Sequence, residues 1–277
     1  MTRPSNRLSG FTLMELAIVL FIVSLLIGGM LMPLSAQHEI RGRQETDKAL
    51  ATIREALIGF VVVNGRLPCP AVASIPSGTT VSGLQAGMES TTPAGANGTC
   101  ACATSATSGE AGIVGAGAVA CSVASPDTDN VGGVLPWATL GLPETDAWEH
   151  RYTYRVSTQF ARLATGQTTF GSCTPSTTVQ NAAFALCSVG ALSVSTAAAG
   201  GTTVASGVPV IVISHGKNGL GATSTTGSVT AVATAADEVE NTDNNAAFVS
   251  NSNIDDQVLW VPASVLMGRM LSAGKLP

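Results

Sequence analysis

The sequence predicts an α+β fold in which a long N-terminal helix packs on an antiparallel β-sheet with disulfide-stapled loops. Three observations predict it. An apolar run over residues 11–34 continues into a segment whose apolar residues recur at helical spacing as far as Phe60. Short β-branched runs follow, of which residues 208–214 are the clearest. Residues 152–157, 183–189 and 257–261 are also predicted strands, small and polar residues predict loops over 190–207, and a final helix is predicted after Pro262. All six cysteines lie after the apolar run, as is typical of proteins from a disulfide-forming compartment.

The first part of the helix is predicted to be transmembrane. Residues 11–34 form about 24 helical positions, or about 36 Å at 1.5 Å per residue, against a hydrocarbon core of ~30 Å. Arg3 and Arg7 favour a cytoplasmic N-terminus. Residues 35–64 are expected to continue the helix as an amphipathic segment that ends at Asn64-Gly65. Residues 65–277 would then form a globular head outside the cytoplasm.

One carboxylate stands almost at the start of the apolar run, in Gly10-Phe11-Thr12-Leu13-Met14-Glu15-Leu16. A lone carboxylate in a bilayer costs ~2.5–3.5 kcal/mol for Asp at a helix centre, and less near a helix end. Cleavage after Gly10 would create a partner for it, because the free α-amino group of Phe11 could pair with Glu15 of a neighbouring copy. We therefore expect residues 1–10 to be a leader and Phe11 and Glu15 to act in assembly.

Three simpler interpretations compete with this one. A secretory signal peptide cut after Ala36 would normally have an apolar region of about 7–15 residues, and Glu15 would be out of place in it. A plain single-pass anchor explains the length but not Gly10, Phe11 and Glu15 together. In the third, Glu15 only favours the positive end of the helix dipole.

The segment from Gly10 to Leu16 resembles the processing site of type IV prepilins and of type II secretion pseudopilins, whose pattern is Gly followed by Phe-Thr-Leu-x-Glu-Leu. Head segments 146–152, 214–219 and 255–260 resemble motifs of the major pseudopilins more loosely. The resemblance implies a pilin-like fold with no enzymatic activity of its own. It also implies cleavage between Gly10 and Phe11 by a prepilin peptidase that N-methylates the new terminus.

The same resemblance implies where the protein acts and with what. The precursor would lie in the bacterial inner membrane as a single-pass protein with a periplasmic head. Inner-membrane assembly machinery would then build it, with other pilin subunits, into a periplasmic or cell-surface filament, either a type IV pilus or a secretion pseudopilus. The alternative is a minor or tip pilin whose loops bind a surface as an adhesin.

Calcium is the one cofactor that the resemblance implies, because related pseudopilins bind it in a loop between the last two motifs. Hard cations take six to eight oxygen ligands, and the corresponding interval is rich in carboxylates although only 11% of the chain is charged. EF-hand spacing is absent, and a solvated acidic loop is the alternative. The candidate ligands are Asp237, Glu238, Glu240, Asp243, Asp255 and Asp256.

Other chemistry is disfavoured. Ser214 and His215 are adjacent on a predicted strand, so their side chains should point to opposite faces and not form a nucleophile–base pair. No Gly-x-Ser-x-Gly turn accompanies them. The net charge of −5 shows no basic footprint for nucleic acid. We therefore predict neither an enzyme nor a nucleic-acid-binding protein.

Six cysteines allow 15 pairings. Cys173 and Cys187 flank a turn-rich segment and are expected to bridge. Cys100 and Cys102 should take different partners, which leaves Cys69 and Cys121 as the candidates.

Overall fold

The structure, a computed structural model, describes residues 12–81, 83–91, 100, 130–161, 173–175, 182–243 and 245–276. The chain divides into two compact units, Met1–Arg43 and Gln44–Pro277. Helix α1 (Leu13–Asn64) begins in the first unit and ends in the second. It ends at the residue where the sequence predicts its end, and Gly65 follows in the left-handed conformation with φ +72°.

The transmembrane prediction for residues 11–34 is wrong. Within the described part of the chain, no helix has both the length and the apolar character that crossing a membrane needs. Of the predicted span, the structure describes helical side chains over residues 13–27. The finding also removes the basis for the single-pass inner-membrane localisation.

The second unit holds the end of α1 and short elements that follow in chain order. They are β1 (Thr80–Val81), β2 (Leu84–Gln85), β3 (Asn130–Val134), α2 (Trp137–Leu140), β4 (Thr153–Ser157), α3 (Thr158–Ala161), β5 (Leu192–Ser195), β6 (Thr203–Val208), β7 (Val210–Ser214), α4 (Ala236–Glu240), β8 (Ala247–Val249), β9 (Gln257–Val261) and α5 (Ala263–Ser272).

A four-stranded antiparallel sheet in the order β3-β4-β7-β9 lies at the centre of this unit. Strand β7 is buried along its whole length, and its two faces belong to different cores. Val210 and Val212 join the main core, which also contains Leu57 of α1. Ile211 and Ile213 join a second core on the other face. The continuous β-branched run of the sequence is therefore a strand covered on both sides.

The second core is closed by a separate three-stranded sheet in the order β6-β5-β8. Strands β5 and β6 are antiparallel, whereas β5 and β8 are parallel. Leu192, Val194 and Phe248 face Ile211 and Ile213 across this core. The predicted antiparallel sheet is thus corrected to three sheets among the described residues: the central antiparallel sheet, this mixed sheet and an antiparallel β1–β2 pair. The loop prediction for residues 190–207 is wrong where β5 and β6 lie, because their apolar partners come from other strands.

Two strand predictions need correction. Residues 183–189 form a turn, since Ala185 and Ser188 close it through backbone and hydroxyl bonds of 3.0 and 2.9 Å. The run 208–214 is divided at Pro209 between β6 and β7. Proline has no N–H to donate to a sheet, so the ladder is interrupted there. The predicted last strand, β9, and the helix after Pro262, α5, are confirmed.

Candidate functional site

Thr12 and Glu15 form a capping box at the start of α1. The backbone N–H and the hydroxyl of Thr12 donate to Oε2 of Glu15 at 3.1 and 3.0 Å. In return the backbone N–H of Glu15 donates to Oγ1 of Thr12 at 3.3 Å. This reciprocal pattern satisfies N–H groups that a helix start otherwise leaves without partners. It gives Glu15 a local structural role beside the assembly role predicted from the sequence.

The capping box also fixes the charge of Glu15. Hydrogen bonds from the backbone and hydroxyl of Thr12 favour the ionised carboxylate and lower the pKa of Glu15. The side chain is exposed, and both of its hydrogen bonds reach the same oxygen, Oε2. Gly10 and Phe11 lie outside the described residues, so the predicted pairing with the Phe11 amine stays a prediction.

An apolar surface follows the capping box. Every large apolar side chain described between Leu13 and Ile27 is exposed, from 43% at Val23 to 88% at Leu13. The hydroxyl of Ser24 donates to the carbonyl of Phe21 at 2.8 Å, so the polar group inside this stretch is satisfied within its own helix. Apolar surface of this extent marks an interaction site in most proteins.

The predicted calcium ligands are spread over several hydrogen-bond networks. Asp255 and Glu238 share one partner residue, because Asp255 accepts from the backbone N–H of Asn218 at 2.7 Å and Glu238 accepts from its Nδ2 at 2.8 Å. Asp237 accepts from Asn251 at 2.7 Å, and Asp256 accepts from Asn241 at 2.8 Å. These amide donors take up carboxylate oxygens that a cation would need.

Asn245 links the other two candidates, since its Nδ2 donates to Asp243 at 2.6 Å and to Glu240 at 3.4 Å. Asp243 is exposed as a residue, but partial burial of its carboxylate raises its pKa, and a hydrogen bond from the Asn245 backbone and the charge of Arg155 partly offset that rise. In the described residues, His, Cys, Asp and Glu side chains nowhere group in threes or more as metal ligands do. Calcium binding stays a prediction.

Ser214 and His215 point to different partners. The Ser214 hydroxyl donates to Oδ2 of Asp146 at 2.6 Å. The His215 ring lies 2.9 Å from the Thr153 hydroxyl on one side and 3.6 Å from Oδ1 of Asp256 on the other. All of these side chains except Thr153 are buried. The pair therefore joins the ends of β4, β7 and β9 instead of forming a nucleophile and its base.

The sequence did not predict the three buried arginines Arg66, Arg151 and Arg155, and two of them bind carboxylates. The fully buried Arg151 donates to Glu144 at 2.7 Å and to the carbonyl of Ala73 at 2.8 Å, and it lies over the Trp137 ring. Arg66 makes two bonds of 2.8 Å to Glu89. Both tie loops of the head together. The partners of these arginines lie more than 20 residues away in the sequence or in loops. Residue spacing therefore could not predict the ion pairs, and the only hint in the sequence was that charged residues are rare in this head.

The disulfide Cys173–Cys187 confirms the predicted bridge. Cys100 pairs with Cys69, one of the two partners left open. Cys102 and Cys121 lie outside the described residues.

Comparison with known proteins identified no relative of this chain. No protein-family model, no curated protein and no solved structure matches this chain. Its functional assignment therefore depends on its own residues.

Proposed function

We propose that the chain is a structural subunit of a filament of the type IV pilus or type II secretion class, assembled through the first part of α1. The observation that carries the proposal is the exposed apolar surface of residues 13–27. Burying such surface is the main driving force of protein association. Identical copies can cover one another by repeating a single head-to-tail contact, which generates a helical array when it does not close into a ring.

The charge state of Glu15 supports the same proposal. Glu15 is ionised at neutral pH, as pairing with an ammonium group requires, and its bonds from Thr12 lower its pKa and so extend the ionised form to more acidic pH. Because both bonds from Thr12 go to Oε2, Oε1 faces a different direction and can accept a bond from a neighbouring copy. Processing between Gly10 and Phe11 by a prepilin-type peptidase would supply that ammonium group.

Processing is tested by the intact mass of the protein from its own cells. The mature chain is expected to begin at Phe11 and to carry one added methyl group. Gly10→Val should leave the full-length precursor, because a peptidase shaped around glycine should reject a β-branched residue. Ser9→Val, which makes a similar change one position earlier, is the control and should be processed. A mature N-terminus at Gln37 would contradict the proposal.

Two variants separate the two roles of Glu15. Glu15→Gln keeps a side chain suited to a capping box but loses the charge, whereas Thr12→Val keeps the charge but loses the capping hydroxyl. If the carboxylate pairs with an ammonium group, Glu15→Gln should abolish incorporation into sheared filaments and Thr12→Val should reduce it far less. The reverse order would assign Glu15 to capping alone and count against the assembly role.

Immunogold labelling of the filaments tests the structural role itself. Labels along the whole length are expected for a structural subunit. Labels confined to the tip would support the alternative, a minor or tip pilin that acts as an adhesin. Filaments that carry no label would contradict both.

A further inference from the structure

Strand β8 is the last strand on one side of the three-stranded sheet, so one edge of its backbone faces away from β5. On the side toward β5, the N–H of Ser250 donates to the carbonyl of Ser195, and β5 donates to the carbonyl of Ala246, both at 2.9 Å. Because successive residues of a strand direct their N–H and C=O groups to alternate sides, those of Ala247 and Val249 point to the outer edge. Such an edge is a template on which a strand of another chain can pair.

Two asparagine side chains occupy this outer edge. Oδ1 of Asn241 accepts from the backbone N–H of Val249 at 2.8 Å, and Nδ2 of Asn241 donates to the carbonyl of Val249 at 3.0 Å. Asn241 thus makes the two bonds that a residue of a neighbouring strand would make. The N–H of Ala247 donates to Oδ1 of Asn245 at 2.6 Å. Three of the four outward backbone groups of Ala247 and Val249 therefore have side-chain partners.

The amide of Asn241 is held in this orientation from its other side. Its Nδ2 also donates to Oδ2 of Asp256 at 2.8 Å, just before β9 begins. Asn241 and Val249 are buried, with 2% and 0% exposure, so water does not compete for these bonds. Only an amide offers both an acceptor for the N–H of Val249 and a donor for the two oxygens. An aspartate at this position would lose both donated bonds and face the carboxylate of Asp256.

The two terminal strands of this sheet differ in what hinders a further strand from pairing with them. Strand β6 shifts its register against β5 and is followed by Pro209. Irregular register and proline both interfere with strand addition. Strand β8 pairs with β5 in unbroken register, and its three residues include no charge and no proline. Its outer edge therefore depends on the two asparagines.

We propose that the side chains of Asn241 and Asn245 block the outer edge of β8 against a strand of a second copy of the chain. Charge cannot provide this protection, because no Asp, Glu, Lys or Arg stands between Arg162 and Lys217, the stretch that contains β5, β6 and β7. A strand from this stretch of a second copy would meet β8 without repulsion between charges. The proposal does not rest on the proposed function, because it concerns the edge of a sheet in the head and not the first part of α1.

Hydrogen exchange of the unsubstituted full chain in detergent tests the proposal without any substitution. The N–H of Val249 should exchange more slowly than in an unstructured peptide by a factor of about 100 or more, because its acceptor is a buried side chain. Exchange at the rate of an unstructured peptide would show that the edge is open and would overturn the proposal.

Sedimentation of the detergent-solubilised full chain in a chelator tests what happens when the edge is uncovered. Asn241→Ala should raise the fraction of oligomers about tenfold over the unsubstituted chain, because β8 then offers unpaired backbone groups to another copy. Asn251→Ala is the matched control. Its amide also donates to a carboxylate, Asp237 at 2.7 Å, and to a carbonyl, that of Thr196 at 2.9 Å, but not to β8. It should sediment like the unsubstituted chain.

A folded Asn241→Ala chain with no added oligomers would overturn the proposal. Equal association of Asn241→Ala and Asn251→Ala would overturn it too, because general destabilisation would then be the cause. Melting temperatures of both variants show that they are folded. If Asn241→Ala does not fold, Asn241→Asp, which keeps the acceptor for Val249, takes its place with the same expectations.

A second substitution identifies the surface through which the oligomers form. Ala247→Pro removes an outward N–H of β8 and hinders the pairing of a further strand. Combined with Asn241→Ala, it should return the oligomer fraction to that of the unsubstituted chain. Oligomers that persist in the double variant would come from another surface and would overturn the proposal. Filament formation does not enter these measurements, so their failure would leave the proposed function intact.

Discussion

The first and second parts of helix α1 differ in where their apolar side chains lie. Over residues 13–27 the helix is apolar on every side and all its large side chains are exposed. Over residues 46–61 the apolar residues form one stripe, and that stripe is buried in the core of the head. The apolar side chains of the second part are therefore covered by other residues of the same chain. The apolar side chains of the first part stay exposed among the described residues, which favours a role in contacts with other molecules.

One pair of leucine variants tests this difference directly. Leu57→Ala removes a fully buried side chain from the core, so it should lower the free energy of unfolding by about 4 kcal/mol. Leu20→Ala changes a side chain that is 60% exposed and should alter it by less than about 0.5 kcal/mol. Urea unfolding of the detergent-solubilised full chain measures both.

Filament yield should rank the same variants differently. Leu20→Ala is expected to reduce assembly although it leaves folding unchanged, because it removes apolar area from the proposed subunit contact. If Leu20→Ala destabilised the chain as much as Leu57→Ala, residues 13–27 would be packed within the subunit and the contrast would fail.

How far the sequence could predict this molecule depends on the range of the contacts involved. The stripe Leu50, Ile53, Leu57 predicted the helix face because helical spacing is local. Strand β5 escaped prediction, since only Leu192 and Val194 alternate in it and their partners lie on β7 and β8. The capping box between Thr12 and Glu15 has the expected i, i+3 spacing, but that spacing does not distinguish a cap from the assembly role predicted for Glu15.

The transmembrane prediction failed for a related reason. It rested on the mean hydropathy of residues 11–34 alone, and no helix in the part of the chain that the structure describes combines the length and apolar character of a membrane span. The candidate calcium ligands show the same limit, since Asp237 and Asp256 belong to separate amide networks that sequence order does not reveal.

Disulfides give a second difference between the two units: Cys173–Cys187 lies in the second unit, whereas the sequence before Gln44 contains no cysteine. The closed loop of this bridge, of about 15 residues, should contribute about 3 kcal/mol in the chain-entropy model. The double variant Cys173→Ala with Cys187→Ala should lower the urea midpoint accordingly while the helix content of residues 13–27 persists. An unchanged midpoint would show that the bridge adds nothing to the head.

Calcium should affect only the second unit, where the candidate carboxylates lie. Ligand binding to the folded state alone raises stability by mass action. We expect millimolar calcium to raise the melting temperature by a few degrees more than magnesium at matched ionic strength. Asp255→Asn should remove the difference, because Asp255 shares Asn218 with Glu238. Equal shifts with the two cations would exclude a calcium site.

The smallest expected effect is the pH response of Asp243. Burial raises its pKa in the folded state above the unfolded value, as burial also lowers the pKa of the neighbouring Arg155 to about 10. A raised folded pKa means that the native state binds the proton more tightly, so this group stabilises the fold at acidic pH. That contribution is lost as the pH rises through the folded pKa. The chain should therefore gain stability relative to Asp243→Asn when the pH falls from 7 to about 4.

Urea unfolding of both proteins in a chelator, which removes any calcium, measures the difference at each pH. Since Glu15 has a lowered pKa, Glu15→Gln is the control that should shift in the opposite direction or not at all. A pH-independent difference between the chain and Asp243→Asn would mean that the Asp243 carboxylate is as well solvated in the fold as in the unfolded chain.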